Sequence, residues 1–487
     1  MEAHVSPIRS PPSMTSPSGW RILVLLGLAG SLACGGSATP APGSAPPSAS
    51  VRIPPNIILV ITDDMTAEDL AAMPQVRSLL GDRGTTFTHA YVTASVCAPS
   101  RGSILTGQYP HNHGGLTNDI ALGAFSSPGG ADVSTLATWF HAGGYRTSLI
   151  GKYLNRYADR AGYVPPGWDE WNVAVPENTY VGFSLITKDA SLQFGTAEQD
   201  YETDVLARRA VDFVSRPGTQ PFFMYVAPVA PHLPAIPAPR HALLFPHVQV
   251  DTSTCAFNEA DLSRKPAYVH RLHGAPLTDK EIALINRIHQ HRLRSLQAVD
   301  DMVATIVGAL VSTHLLDRTL IAFTSDNGWE KGQHRFTEGK NLPYEESILV
   351  PLVIAGPFVE HQTVEALVST VDLAPTFLEL AGLSTISPLD GRSLARLLTG
   401  RTVSDWRSAV LVESHDQISG EAGPFFEIRT DRWMYTEYRD SGESELYDMV
   451  TDPDQCSNAQ PFASPALTDD LARQLKTLST CRGDRCR

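Results

Sequence analysis

Charge is scarce in this chain and what there is leans acidic: 18% of the 487 residues are Asp, Glu, Lys or Arg, and the formal net charge is −14. That balance excludes a nonspecific grip on nucleic acid, whose phosphates call for a basic surface. It does not exclude a small anionic substrate, provided that positive groups and a cation are gathered in one pocket. Long apolar runs are missing too. The one near the N-terminus, Ile22 to Ala29, is too short to cross a bilayer comfortably. No internal repeat is found. With 42% hydrophobic residues the composition is that of a globular protein rather than a disordered one. The length allows a large core and two or three domains.

The short apolar run has a different use. Arg21 precedes it and Ser31-Leu-Ala-Cys34-Gly follows, so residues 1–34 read as an export signal ending in a sequence similar to a bacterial lipobox, with Cys34 as the lipidated first residue. Ser31 stands where an aliphatic residue is usual, and ordinary cleavage near Ala33 is the alternative. Residues 35–50, nearly all Gly, Ser, Ala, Thr and Pro, read as a solvated tether. Export in turn makes disulfides plausible among Cys255, Cys456, Cys481 and Cys486, with Cys481 to Cys486 the local choice.

Two apolar runs carry acids at their ends. Pro55-Asn-Ile-Ile-Leu-Val-Ile-Thr62 delivers Asp63-Asp64, and Thr319-Leu-Ile-Ala-Phe-Thr-Ser325 delivers Asp326-Asn327-Gly328. Both read as buried parallel strands, and ligand sites in open α/β sheets lie at such C-terminal strand ends. Either aspartate of the first pair could simply cap the helix expected over Ala67 to Leu80, and Asp-Asn-Gly alone is a turn signal. Adjacent buried acids repel, however, unless a cation lies between them. Asp63, Asp64, Asp326 and Asn327 form an all-oxygen set that favours Ca²⁺ or Mg²⁺ over zinc.

Between these strands lies Ser95-Val-Cys97-Ala-Pro-Ser-Arg101-Gly-Ser-Ile-Leu-Thr-Gly107. An exposed thiol is a liability in an exported protein, yet Cys97 sits between a strand-like approach and a helix start. A structural cysteine before a helix N-terminal proline is the plain alternative. Cys-x-Pro-x-Arg resembles the signature of the type I sulfatases, in which a formylglycine-generating enzyme oxidises the cysteine to an aldehyde. The resemblance implies that hydrated formylglycine 97 attacks the sulfur of a sulfate ester and expels the alcohol. The second hydroxyl then collapses to the aldehyde and releases sulfate. Arg101, four residues on, lies beside position 97 on the helix and could hold the diol oxygen or the metal ligands.

Further segments follow the same family order. Gly144-Tyr-Arg-Thr-Ser-Leu-Ile-Gly-Lys152-Tyr-Leu-Asn155 resembles the second signature, with Leu154 where many sulfatases have a histidine; Lys152 alone could be a lysine snorkelling at a strand end. Pro221 to His232 resembles the segment whose histidine contacts the leaving-group oxygen, so His232 would protonate the departing alkoxide. Gly332-Gln-His334-Arg-Phe-Thr-Glu-Gly-Lys340 follows the pattern in which a histidine and then a lysine return to the pocket. Lys340 would bind a sulfate oxygen and the bridging oxygen. A structural role for His334 is the alternative, and Arg335 reads as an exposed charge. The resemblance implies that Asp63, Asp64, Asp326 and Asn327, with the converted Cys97, hold a calcium ion beneath the sulfate, that Lys152, His232, His334 and Lys340 bind substrate, and that Cys97, Arg101, Lys152, His232 and Lys340 act in catalysis.

Residues 261–310 show helical periodicity, with Asp300-Asp301 expected on a solvated face. Residues 156–204, rich in Gly, Pro and aromatics, are candidate rim loops. After Gly391 to Gly400 the pattern shifts to short strands, Ser408 to Glu413, Phe426 to Thr430, Trp433 to Tyr438 and Glu445 to Asp448, and then a helix from an N-cap at Thr468 to Leu478. The expected organisation is a catalytic domain over residues 51–400 and a small C-terminal subdomain over 401–487. The resemblance covers about residues 54–460 and implies an alkaline-phosphatase-like α/β fold, a large mixed, mostly parallel sheet between helices. Leu105-Thr-Gly-Gln-Tyr-Pro-His-Asn-His113, Gly151-Lys-Tyr-Leu-Asn155 and Ser325-Asp-Asn-Gly328 are most similar to the N-acetylglucosamine-6-sulfatase branch, so a sulfated sugar is the expected substrate, aryl sulfates being the other class. His111 and His113 could line the sugar site or serve the core. A phosphomonoester or phosphonate hydrolase would use the same metal and aldehyde, and a noncatalytic glycan-binding lipoprotein would keep Cys97 as a thiol.

Overall fold

The computed structural model describes residues 54–416 and 422–487. The signal, Cys34 and the tether lie outside the described residues. Sixteen strands are formed in chain order: β1 (Asn56–Thr62), β2 (Gly84–Phe87), β3 (Ala90–Tyr91), β4 (Arg146–Gly151), β5 (Glu170–Val175), β6 (Ser184–Thr187), β7 (Ser191–Gln193), β8 (Phe222–Ala227), β9 (Thr319–Ser325), β10 (Leu352–Ala355), β11 (Gln362–Val364), β12 (Val368–Ser369), β13 (Ala409–Ser414), β14 (Phe425–Thr430), β15 (Trp433–Tyr438) and β16 (Ser444–Asp448). Ten of them make one sheet in the order β11-β2-β10-β9-β1-β8-β4-β5-β6-β7. Its centre, β9-β1-β8-β4-β5, is parallel, and β10 and β6 join antiparallel on either side. The sheet is thus the expected large, mixed, mostly parallel one.

β1 is apolar throughout because both of its faces are covered. Ile57, Leu59 and Ile61 point into a layer shared with Phe223, Tyr225 and Leu149 and with the helices Cys97–Thr106 and Leu373–Ala381. Ile58 and Val60 point into the opposite layer, with Met224, Ile150 and Phe323, against the helices Glu202–Ser215 and Asp279–Ser312. Each such side chain contributes about 1.5–3 kcal/mol of burial. The long helix Asp279–Ser312 begins at a capping box, in which the Thr278 side chain accepts from the Glu281 amide and Glu281 accepts from the Thr278 amide. Its Leu296, Val299, Val303, Ile306 and Leu310 supply the apolar stripe.

Several local expectations change. Asp300 is not solvated: it is buried and accepts the Gln75 and Val76 amides at 2.9 and 2.8 Å, capping the helix Pro74–Leu79. Asp301 stays about half exposed, as expected, while it pairs with Arg240 and His241. Neither Asp63 nor Asp64 caps the next turn; Thr66 does, before a 3-10 segment Ala67–Ala72. Residues 156–204 hold β5, β6 and β7, the last two of which are too short to show a period. The last helix is Pro465–Leu478, capped by Ser464, with proline at its first position.

β13 to β16 form a separate antiparallel sheet in sequence order, as the pattern predicts. Leu471 and Leu475 of the last helix pack on its Ile428 and Leu446. The disulfides are Cys255–Cys456 and Cys481–Cys486, leaving Cys97 as the free thiol among the described residues.

Candidate active site

Strand register brings the two acidic pairs together. Thr62 of β1 is the partner of Ser325 of β9, so Asp63-Asp64 and Asp326-Asn327 leave the sheet side by side. The Asp326 amide donates to the Thr62 carbonyl at 3.1 Å, and its Oδ1 accepts from the Asp64 amide at 3.0 Å. Asn327 Nδ2 donates to Asp64 Oδ1 at 2.7 Å. All four side chains are fully buried. On the other side of β1, Gly151 at the end of β4 pairs with Ala227 of β8, which sets Lys152 level with the acids. Its ammonium meets Asp63 Oδ2 at 2.5 Å.

Cys97 is the first residue of the helix Cys97–Thr106, whose Ala98 amide is taken by Asn118 Oδ1 at 2.8 Å. The thiol lies 3.4 Å from Asp63 Oδ1 and 2.8 Å from Lys340 Nζ. Lys340 also donates to Asp64 Oδ1 at 2.6 Å. One turn along the helix, Arg101 is fully buried; its Nε donates to Asp326 Oδ2 at 2.8 Å, and it lies 3.5 Å from Asp63 Oδ2 and 3.4 Å from the Lys152 carbonyl. His232 follows β8 and presents Nε2 to Asp64 Oδ2 at 3.6 Å, while Nδ1 bonds the Leu233 carbonyl at 2.6 Å. Ligand atoms of Asp63, Asp64, Cys97 and His232 all lie within 4.8 Å of one another.

Burial raises the carboxylates, but Lys152, then His232 and Arg101, outweigh it at Asp63 and hold that group well below the usual range. Lys340 and His232 do the same for Asp64. Asp326 is the carboxyl in excess: burial, with Asp63 and Asp64 adding to it against Arg101, pushes it up to about 6. Burial, joined by Asp63, pushes the Cys97 thiol up to about 12, so the unmodified side chain is a poor nucleophile. Burial also pulls His232 down against the carboxylates, leaving the imidazole neutral near pH 7. Asp64 Oδ2 and Asn327 Oδ1 are buried acceptors without a hydrogen-bond partner. Orphaned oxygens in a buried cluster of acids fit a hard divalent cation.

The structure gathers Asp63, Asp64, Cys97, Arg101, Lys152, His232, Asp326, Asn327 and Lys340 into one cluster. His334 has other partners: it is fully buried, bonds Glu259 at 2.7 Å and lies on the ring of Tyr344. Arg335 is buried rather than exposed, donating to the carbonyls of Glu259, Ala260 and Gly274. His111 is pinned between Glu413 and the Cys481 carbonyl, and His113 is buried against Ser103 and Phe125, so both serve packing between elements. Leu154, at the position where many sulfatases have a histidine, is part of the core. Sequence reasoning passed over Arg292, which reaches the Asp64 carbonyl from the long helix. It also missed Ser325, whose hydroxyl donates to the Thr62 carbonyl and accepts the Met65 amide. No short motif marks Arg292, whereas Ser325 opens the phrase Ser325-Asp-Asn-Gly328 and reads there only as the end of a strand.

A mostly parallel sheet whose strand ends hold buried acids, lysines and a helix-initiating cysteine is the arrangement of the alkaline-phosphatase-like fold, with a group at its strand ends that could hold a metal ion. Comparison with known proteins gives the family. The Sulfatase family profile matches residues 55–383, and the profile described as N-sulphoglucosamine sulphohydrolase, C-terminal, matches residues 332–480. The chain is 32% identical over 477 residues to human N-acetylglucosamine-6-sulfatase, covering 89% of this chain and 86% of that one. It is 33% identical over 374 residues to an extracellular sulfatase Sulf-1 homologue of Caenorhabditis elegans, covering 74% of this chain but about half, 52%, of that relative's length. A solved structure in complex with its substrate D-glucosamine-2-N,6-O-disulfate superposes with a TM-score of 0.75 at 25% identity, covering 87% of this chain and 97% of that one. The phosphonate monoester hydrolase of Agrobacterium radiobacter, at 22% identity and a TM-score of 0.70 over 87% of this chain and 95% of that one, shares the fold. The chain belongs to the sulfatase family and is a sulfuric ester hydrolase.

Proposed function

We propose that this protein hydrolyses the O-sulfate ester of a sulfated sugar, with N-acetylglucosamine 6-sulfate the first substrate to test. The observation that carries the reading is the placement of Cys97 in the buried cluster, within reach of Lys340 and beside the carboxylates that Lys152 and Arg101 hold ionised. Asp63, Asp64, Asp326 and Asn327, with position 97, would hold Ca²⁺, or Mg²⁺, which supplies positive charge for a sulfate oxygen. Conversion of Cys97 to formylglycine by a formylglycine-generating enzyme supplies a hydrated aldehyde as nucleophile, which the buried thiol itself could not be.

The chain's own groups account for the rest. Lys340 and Lys152 bind sulfate oxygens, and Lys340 also meets the bridging oxygen, where charge grows as the ester breaks. Arg101 fixes Asp326 and Asp63, so the ligand oxygens stay in place as substrate enters. His232 rests neutral and takes up a proton as the negative sulfate approaches, then passes it from Nε2 to the departing alcohol. His334 braces, through Glu259, the loop that ends in Lys340. Export by residues 1–34, with anchoring at Cys34 or release, puts the enzyme where sulfated glycans occur.

Two measurements test this. The mass of the Cys97 peptide from protein made in its own host is expected to show the thiol replaced by an aldehyde. The purified protein is expected to release sulfate from N-acetylglucosamine 6-sulfate and from an aryl sulfate. A strong preference for the phosphate ester of the same leaving group, or an unmodified thiol in a host that converts other sulfatases, overturns the reading.

A further inference from the structure

Arg292 is a buried cation that the proposed chemistry leaves unexplained. It lies in the helix Asp279–Ser312 with no exposed surface. One amino group donates to the main-chain carbonyl of Asp64, and the other to the carbonyl of Pro231 at 3.3 Å. The guanidinium lies 5.1 Å from the ring centre of Trp329 and 3.8 Å from Asp69 Oδ2. A single planar group therefore touches the segment after β1, the loop that carries His232, and the segment that follows Asp326-Asn327.

Packing does not require it. A leucine or methionine would fill a core position without the desolvation cost of a guanidinium, and Nε finds no hydrogen-bond partner. What the fork matches is a pair of carbonyls from two different segments. The Asp64 carbonyl has a particular need. With φ at 72°, Asp64 is in the left-handed region, which non-glycine residues adopt at a cost. In that conformation its carbonyl meets Arg292 while its carboxylate meets Asn327 and Lys340. The loop before His232 is held from other sides as well. Tyr180 donates to the His232 carbonyl at 2.6 Å, and Glu202 Oε1 accepts the Val229 amide at 3.3 Å. His232 Nε2 itself lies 3.6 Å from Asp64 Oδ2, and the Asp63 amide donates to the Ala230 carbonyl at 3.3 Å. Arg292 adds the bridge between the two main-chain carbonyls, of Asp64 and of Pro231.

We propose that Arg292 is a positioning residue: it holds Asp64 in its left-handed conformation and sets His232 against it, so that a cation ligand and a proton donor keep a fixed separation. The proposal rests on the sulfatase reading for its activity readout and on calcium affinity for an independent one. In the full chain, Arg292→Met is expected to lower kcat for N-acetylglucosamine 6-sulfate about 10- to 100-fold and to weaken calcium binding about tenfold, with KM within about threefold. Arg292→Lys keeps the charge but reaches one carbonyl at a time, and is expected to recover part of both losses. Leu296→Ala, in the core stripe of the same helix, is expected to lower the melting temperature while leaving kcat and calcium affinity unchanged. If folded Arg292→Met behaves as Leu296→Ala does, Arg292 is only structural and the proposal is overturned. If the Met variant does not fold, the Lys variant decides: wild-type kcat and calcium affinity overturn the proposal, and a shared loss supports it. Should the wild type bind calcium but release no sulfate, the sulfatase reading fails, and the calcium affinities of wild type and variants alone decide the role of Arg292.

Discussion

Two of the buried clusters of charge among the described residues treat most of their carboxyl groups in opposite ways. At the strand ends Asp63 and Asp64 face Arg101, Lys152 and Lys340 and are held below the usual carboxylate range. In the second cluster, Glu259 and Glu445 share one ammonium, Lys265, which donates to the Tyr447 hydroxyl at 2.9 Å and the Gln455 carbonyl at 2.6 Å. Glu445 accepts from the hydroxyls of Tyr344, Tyr438 and Tyr447. Burial there wins: Glu259 is pushed up to about 7 and Glu445 is raised as well. The first cluster keeps Asp63 and Asp64 ionised and leaves Asp64 Oδ2 and Asn327 Oδ1 without hydrogen-bond partners, as the second leaves Glu259 Oε1. The second spends its hydroxyls on one carboxyl and joins the large sheet's loops to β15 and β16. Supply of cations, rather than depth of burial, separates the proposed ligand set from a structural knot.

The strongest way to break that contrast is to remove the proposed nucleophile. Cys97→Ala is expected to abolish sulfate release, a loss of at least about 10³-fold, with the melting temperature little changed. Residual turnover close to wild type would place the nucleophile elsewhere. Lys340→Met comes next. Losing the ammonium between Cys97 and Asp64 is expected to lower kcat by about 10² to 10³, read in steady-state kinetics on an aryl sulfate; an unchanged kcat with only a raised KM would reduce Lys340 to uniform substrate binding.

The same experiment in the other cluster sharpens the comparison. Lys265→Met removes a cation whose carboxyl neighbours are already pushed toward neutrality, so it leaves less uncompensated charge than a site lysine would. We expect a loss of about 2–4 kcal/mol in urea unfolding and a kcat within about twofold of wild type. A collapse of kcat at unchanged stability would show that this cluster belongs to the chemistry.

The sequence made the first cluster legible and the second nearly opaque. Uninterrupted apolar runs ending in Asp63-Asp64 and Asp326-Asn327 report strands buried on both faces, and parallel neighbours have to present their ends on one side. Cys97, Lys152, His232 and Lys340 stand in short segments whose order carries information. Arg292 and Arg335 carry none, because a charge on an amphipathic helix or in a loop looks the same whether it meets water or a carbonyl. Arg292 finds its carbonyl 228 residues away. Asp300 was misplaced for a related reason: the helix period defines a stripe, and the segment that lies over its margin, here the Gln75 and Val76 amides, is not visible from the helix itself.

The smallest expected effect tests the pKa contrast directly. Glu259 has an ordinary value of 4.5, and burial raises it to about 7 against the pull of Lys265. Between those pH values the folded chain holds a proton that the unfolded chain has released. Its contribution to stability is therefore fullest below pH 4.5 and is lost as the pH rises through about 7. Glu259→Gln keeps the shape without the titration. Urea unfolding of both proteins across that window should show wild type losing about 1–3 kcal/mol relative to the variant. Asp63 and Asp64 of the first cluster have the opposite sign, since their contribution is lost as pH falls, whereas Asp326, raised to about 6, shares the sign of Glu259. A wild-type curve that stays level with the variant, or rises against it, would mean that Glu259 is ionised in the fold and that Lys265 with His334 supplies the charge it needs.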